Sequence, residues 1–121
     1  MEFSIDSLLN LPEVTVIGYF RNEDFICLNL EILTKEMNCP HCQKYTQELH
    51  QVRQLLVRDL PIFGQPVYLR VPRQQFYCRQ CQKYCTKKLE FLPGKRRYTR
   101  RYESHIYRRI LLSNIEQISQ E

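Results

Sequence analysis

Two Cys-x-x-Cys pairs, Cys39-Pro40-His41-Cys42 and Cys78-Arg79-Gln80-Cys81, carry the side chains of this 121-residue chain best suited to chemistry. Each pair places two thiolates on a tight turn, close enough to grip one metal ion from one side. Two such knuckles brought together supply four sulfurs in a tetrahedron, a donor set that suits a single structural Zn²⁺. Thirty-five residues separate Cys42 from Cys78. That gap is longer than the usual finger template, but a strand-rich insert can span it. Two disulfides or a redox dithiol are the competing readings. A redox dithiol sits where a strand meets a helix in an alternating strand–helix pattern, and neither pair has that context. His41 and His50 are weaker ligand candidates. Residues between the cysteines of a knuckle point away from the metal, and His50 lies eight residues past Cys42. Cys27 and Cys85 read as small packed side chains rather than ligands.

The elements that must position these thiols are few. A chain of this length makes one domain, or a small domain with a tail, and its core is modest enough for a metal staple to matter. No apolar run approaches membrane-spanning length and no basic-then-apolar leader opens the chain. The expectation is a soluble, cytoplasmic protein whose thiols stay reduced. Net charge is +5, unevenly distributed: residues 1–36 carry −5 and the remainder +10. Because the basic residues are mostly arginine and cluster, the balance points to a polyanion such as nucleic acid.

The coarse pattern is α+β. Ile5, Leu8, Leu9 and Leu11 share one side of a short helical turn that Pro12 ends. Two β-rich runs, 14–20 and 25–32, flank a polar break and read as a hairpin. On the second run Ile26, Leu28, Leu30 and Ile32 share a face. A mixed-polarity strand over 48–58 leads into a proline-bracketed turn where Gly64 is free to take positive φ. Val67, Leu69 and Val71 then alternate onto one face, whereas Phe76 and Cys78 have the opposite parity. A bulge or bend at Pro72-Arg73 is therefore expected.

The tail holds the second chemistry. Lys95-Arg96-Arg97-Tyr98-Thr99-Arg100-Arg101 has five positive charges in seven residues, and Arg108-Arg109 follow. Thr99 can cap a helix running to about Leu112, with Tyr102, Ile106 and Ile110 toward the core. Lys95, Arg96, Arg97, Arg100, Arg101 and Arg108 are the candidate DNA-binding residues, since the arginine fork suits phosphate oxygens. Such contacts grip the backbone without reading bases. Ser113-Asn114-Ile115-Glu116 has the spacing of a capping box and predicts the start of a second helix. The division is then 1–92, hairpin plus zinc ribbon, and 93–121, a basic helical segment.

Knuckle, strand, proline-rich turn, strand, knuckle is the order of a zinc ribbon. Cys-Pro-His-Cys at 39–42, Arg58-Asp59-Leu60-Pro61 with Gly64 and Pro66-Val67, Leu69-Arg70-Val71, and Arg73 through Phe76 into Cys78-x-x-Cys81 together resemble the N-terminal zinc-binding domain of bacterial insertion-sequence transposases. The lineage is the ISL-three family, and the resemblance covers roughly residues 12–121. It implies a zinc ribbon ahead of a helix-turn-helix, both binding double-stranded DNA at transposon ends, and a following DDE-class catalytic domain. Cys85 departs from the pattern, standing where a large apolar residue is expected. The chain reaches Glu121 before any catalytic motif, so it is expected to bind DNA without cutting or joining it. A zinc-ribbon protein-interaction or homodimerisation module is the alternative.

Overall fold

The two apolar hairpins of the sequence join into one sheet. The computed structural model describes residues 5–93 and 97–120, the last seven of these by backbone alone. Lys95 and Arg96 lie outside the described residues. In chain order the elements are α1 (Ile5–Leu9), β1 (Val14–Arg21), β2 (Ile26–Ile32), β3 (Met37–Asn38), β4 (Tyr45–Thr46), β5 (Leu49–Ile62), β6 (Gln65–Cys78), β7 (Lys83–Thr86) and α2 (Arg100–Gln120). The main sheet runs β1-β2-β6-β5, with β7 on β6, and β3 and β4 form a separate two-stranded piece. β1 and β2 pair antiparallel, as the polar break between them requires, and β2 lies parallel to β6.

The long gap between the two Cys-x-x-Cys pairs is a hairpin. β5 leaves the first knuckle, turns at Phe63-Gly64, and β6 returns to the second. Gly64 takes φ of 78° as expected, and Phe63 joins it at 49°. Two successive positive-φ residues make the tight turn whose twist matches a hairpin.

No bulge interrupts β6 at Pro72-Arg73. Its pairing with β5 is continuous there, with Arg53 opposite Arg73 and Gln54 opposite Pro72. The parity change has another cause: the sheet is covered on opposite faces at its two ends. Val67, Leu69 and Val71 face the main core, with Leu28, Leu30, Ile32, Val57, Leu89, Phe91 and Leu92. Phe76 and Cys78 face the other way, into a small cluster with Cys39 and Cys85. The strand stays regular and its cover changes sides. The register shifts are on β5 instead, at His50 and between Asp59 and Ile62.

α2 is anchored at its start. Thr99 is fully buried, and its hydroxyl accepts the Tyr102 amide at 3.2 Å, the expected N-cap. The segment before it lies along β5, with Arg58 N–H donating to the Arg97 carbonyl and Thr99 N–H to the Arg58 carbonyl. The start of a helix-turn-helix is not found. α2 runs unbroken through Ser113 to Gln120. Ser–x–x–Glu spacing caps a helix only if the chain leaves helical geometry before it. Nothing between Leu111 and Glu116 is a glycine or proline that would force it out. Ile110, expected in the core, is exposed.

Candidate metal centre

The first knuckle is a tight turn between the short strands β3 and β4, and the second joins the end of long β6 to β7. In the first, Asn38 pairs with Tyr45, Cys39 N–H donates to the Lys44 carbonyl, and Gln43 N–H donates back to the Cys39 carbonyl. In the second, Tyr77 pairs with Tyr84 and Cys78 with Lys83. The two are copies. Cys-x-x-Cys-Gln-Lys-Tyr occurs at 39–45 and again at 78–84. The glutamine after each pair takes the left-handed conformation, φ 60° at Gln43 and 54° at Gln82. This repeat was legible in the sequence and predicts one shared local structure, a signal beyond the cysteine spacing.

β6 and the first knuckle bring the four sulfurs together. Cys39 Sγ lies 3.4 Å from Cys81 Sγ, and Cys42 Sγ lies 3.5 Å from Cys78 Sγ. All four sulfurs are within 4.8 Å of one another. These gaps exceed a disulfide bond of about 2.05 Å. A tetrahedron with Zn–S of about 2.3 Å has edges of about 3.8 Å, inside the observed range. The donor set fits zinc in both number and spacing. Cys39 and Cys78 are buried, Cys42 and Cys81 half-buried.

The thiols are not equivalent. The Cys42 amide, more than any other group, holds Cys39 down to about 6 against the effect of burial. The Cys81 amide lowers Cys78 in the same way. Burial first, then the hydrogen bond with Cys39, pushes Cys81 up to about 12. Cys42 is also raised: the Lys44 amide pulls it down, but burial and the sulfurs of Cys78 and Cys39 outweigh that. In each knuckle the first cysteine is the more acidic thiol, because its sulfur receives the amide of the second.

Cys85 stands beside this cluster without joining it. Its thiol is directed at the Phe76 carbonyl, 3.7 Å away, and burial raises its pKa. Cys27 lies apart, on β2 opposite Phe20. Neither histidine joins the sulfurs. Outer contacts hold the cage in place. Thr46 donates to the Tyr77 carbonyl at 2.7 Å, and exposed Arg79 pairs with Glu48 at 2.8 Å.

The arginines of the tail are dispersed. Arg97 and Arg100 are exposed, although Arg100 Nε donates to the Glu90 carbonyl at 2.8 Å. Arg108 is exposed on α2. Arg101 has a different task from the one expected. Its guanidinium grips the buried Asp59 carboxylate through Nε at 2.7 Å and through Nη2, and Nη1 donates to the Leu9 carbonyl at 2.7 Å. A fork engaged in this way ties helix, sheet and α1 together and is not open to a phosphate. The hairpin register places Arg53 and Arg73 side by side.

A four-cysteine cage between two knuckles, one of them on a long hairpin, defines a zinc-finger cluster of the ribbon type. Comparison with known proteins gives the lineage. Residues 35–81 match the family described as the zinc-finger of transposase IS204/IS1001/IS1096/IS1165. The transposase for insertion sequence element IS1001 of Bordetella parapertussis is 30% identical over 94 residues, which cover 78% of this chain and 23% of that protein. No solved structure matches the chain. The ribbon at 35–81 is thus that of the ISL3 family of insertion-sequence transposases. No helix among the described residues is long and apolar enough to cross a membrane.

Proposed function

We propose that this chain is a zinc-dependent DNA-binding module, acting in the manner of a transposase region that holds transposon ends. The observation that carries the reading is the four-sulfur cage in a ribbon matched to transposase zinc fingers. One Zn²⁺ held by Cys39, Cys42, Cys78 and Cys81 fixes the ribbon, because metal-binding free energy is folding free energy in such sites. Supporting it, the chain beyond residue 36 carries +10, a balance suited to phosphate. Arg97, Arg100 and Arg108, with Lys95 and Arg96, are the candidate contacts of the tail. The matched region is 23% of the relative's length. We assign binding, not strand transfer, to this stretch.

The test is fluorescence anisotropy of a labelled duplex titrated with zinc-loaded protein at two salt concentrations. Half the titrations use a candidate transposon end and half a scrambled duplex. Salt-sensitive binding to either supports the reading, and absence of binding to both refutes it. A second reading, self-association, rests on β1. This strand forms one edge of the sheet and exposes Ile17, Tyr19 and Phe20. Gel filtration over a range of concentrations decides it, and a monomer throughout rejects it.

A further inference from the structure

The change of cover leaves one end of the sheet open on the face away from the main core. There the register draws a single row across the sheet. Phe20 on β1 stands opposite Cys27 on β2, Cys27 beside Tyr68 on β6, and Tyr68 opposite Arg58 on β5. Tyr98, bridged to Arg58 just before α2, completes the row. Four strand spacings of about 4.8 Å make it about 19 Å long. The next row is lower and more polar: Gly18, Asn29, Arg70 and Leu56. Phe20, Tyr98, Leu56 and Arg70 are exposed.

The side chains of the first row touch from end to end. Phe20 lies 5.8 Å from Phe25, and Phe25 meets Tyr68 edge to face at 5.9 Å. The Arg58 guanidinium sits over both Tyr68 and Tyr102, its Cζ 5.2 Å from each ring centroid. Tyr98 stacks on Tyr102 at 5.6 Å with the planes 10° apart. Rings and a guanidinium in one exposed row suit a flat π system that carries negative charge. An apolar protein partner would favour an apolar second row, whereas Asn29 and Arg70 stand there. Glu31, the carboxylate on the same face of β2, lies beyond the last rung that β2 shares with β6.

We infer that this face stacks the unpaired bases of single-stranded DNA, on Phe20 and Tyr98 at the two ends of the row, with Arg70 one row over taking a backbone phosphate. The inference takes DNA as the nucleic acid from the reading above and adds a distinct site for strands that are not paired. Bases inside a duplex are stacked on one another, so rings on a sheet select bases that have left it. Such stacking tolerates any sequence, because every base has a π face. Arg58 is a positioning residue: fixed between Tyr68 and Tyr102, it holds the rings in line and adds positive charge to the row.

The experiment titrates the zinc-loaded chain into a labelled oligothymidine, which forms no duplex, and into a duplex of the same length. F20L/Y98L removes both end rings, R70Q removes the phosphate contact, and Y107L removes an exposed ring of α2 outside the row. Zinc content and thermal melting are checked for each. F20L/Y98L should bind oligothymidine about 25-fold more weakly, about fivefold for each ring at the low end of base–aromatic stacking. F20Y/Y98F, which keeps both rings, should bind as the parent does, and so should Y107L. R70Q should lower the single-strand salt slope by about 0.7. Bound oligothymidine should also slow alkylation of the half-buried Cys27 in the middle of the row. Parental affinity in F20L/Y98L overturns the site, and, should that variant not fold, an unchanged slope in R70Q does so. Duplex binding without single-strand binding overturns the site and leaves the DNA-binding reading standing. Single-strand binding alone supports the site and refutes duplex binding. Binding of neither overturns both, and a dimer on gel filtration that F20L/Y98L abolishes then gives the face to a second copy.

Discussion

Arg101→Ala should be among the most damaging single changes outside the metal cage. The Asp59 side chain is only 2% exposed. Its carboxylate accepts from Thr99 Oγ1 at 2.8 Å and from two nitrogens of Arg101. Removing the guanidinium leaves a buried carboxylate with one neutral donor. It also strips the Leu9 carbonyl of its charged partner at 2.7 Å. Breaking a buried pair by deleting one partner costs about 3–5 kcal/mol. Because the arginine side chain is 33% exposed, water offsets part of the loss, and we take about 3 kcal/mol as the expected value. That is a large fraction of the stability of a small domain, about 5–15 kcal/mol in total. Replacing both partners, Asp59→Leu with Arg101→Met, removes the buried charge altogether and should cost less than the single change. Urea unfolding followed by circular dichroism at constant excess zinc measures all three proteins. An Arg101→Ala variant within about 1 kcal/mol of the parent would refute the argument. So would a double variant less stable than the single.

Three further outcomes follow from the geometry. Cys39→Ser or Cys78→Ser should lose stoichiometric zinc and unfold the ribbon, whereas Cys85→Ser should keep one zinc per chain by elemental analysis, since its thiol faces the Phe76 carbonyl. Zinc occupancy should fall as acid reprotonates the sulfurs, and the Cys39 thiolate, held down to about 6, should be the last to take a proton; elemental analysis as the pH is lowered checks this, and occupancy unchanged down to about pH 5 would refute it. At the hairpin tip, Gly64→Ala at φ 78° should cost about 1 kcal/mol, and Phe63→Asn at φ 49° should gain up to about 1 kcal/mol, both read by thermal melting.

The cage was legible because its cause is local. Cys-x-x-Cys spacing fixes a turn, and the turn fixes where two sulfurs go. The repeat of Gln-Lys-Tyr after each pair carried more of the same information, down to the left-handed glutamines at 43 and 82. The apolar faces of β2 and β6 could be read for the same reason, since strand parity is local too. What parity could not show was which layer covers it. The change of phase after Val71 suggested a broken strand, but β6 is regular and simply passes from one core to another on the opposite face. The helix failed in the opposite direction. Ser113 to Glu116 has the letters of a cap, but a cap acts only where the chain has already left the helix, and the surrounding residues favour staying in it. Arg101 is the plainest case. In sequence it is one arginine in a basic run, indistinguishable from Arg100 beside it. Only the fold reveals that a buried aspartate 42 residues earlier is its partner. The same nonlocality hid Arg53 and Arg73, which are unremarkable until the Phe63-Gly64 turn sets them on one rung.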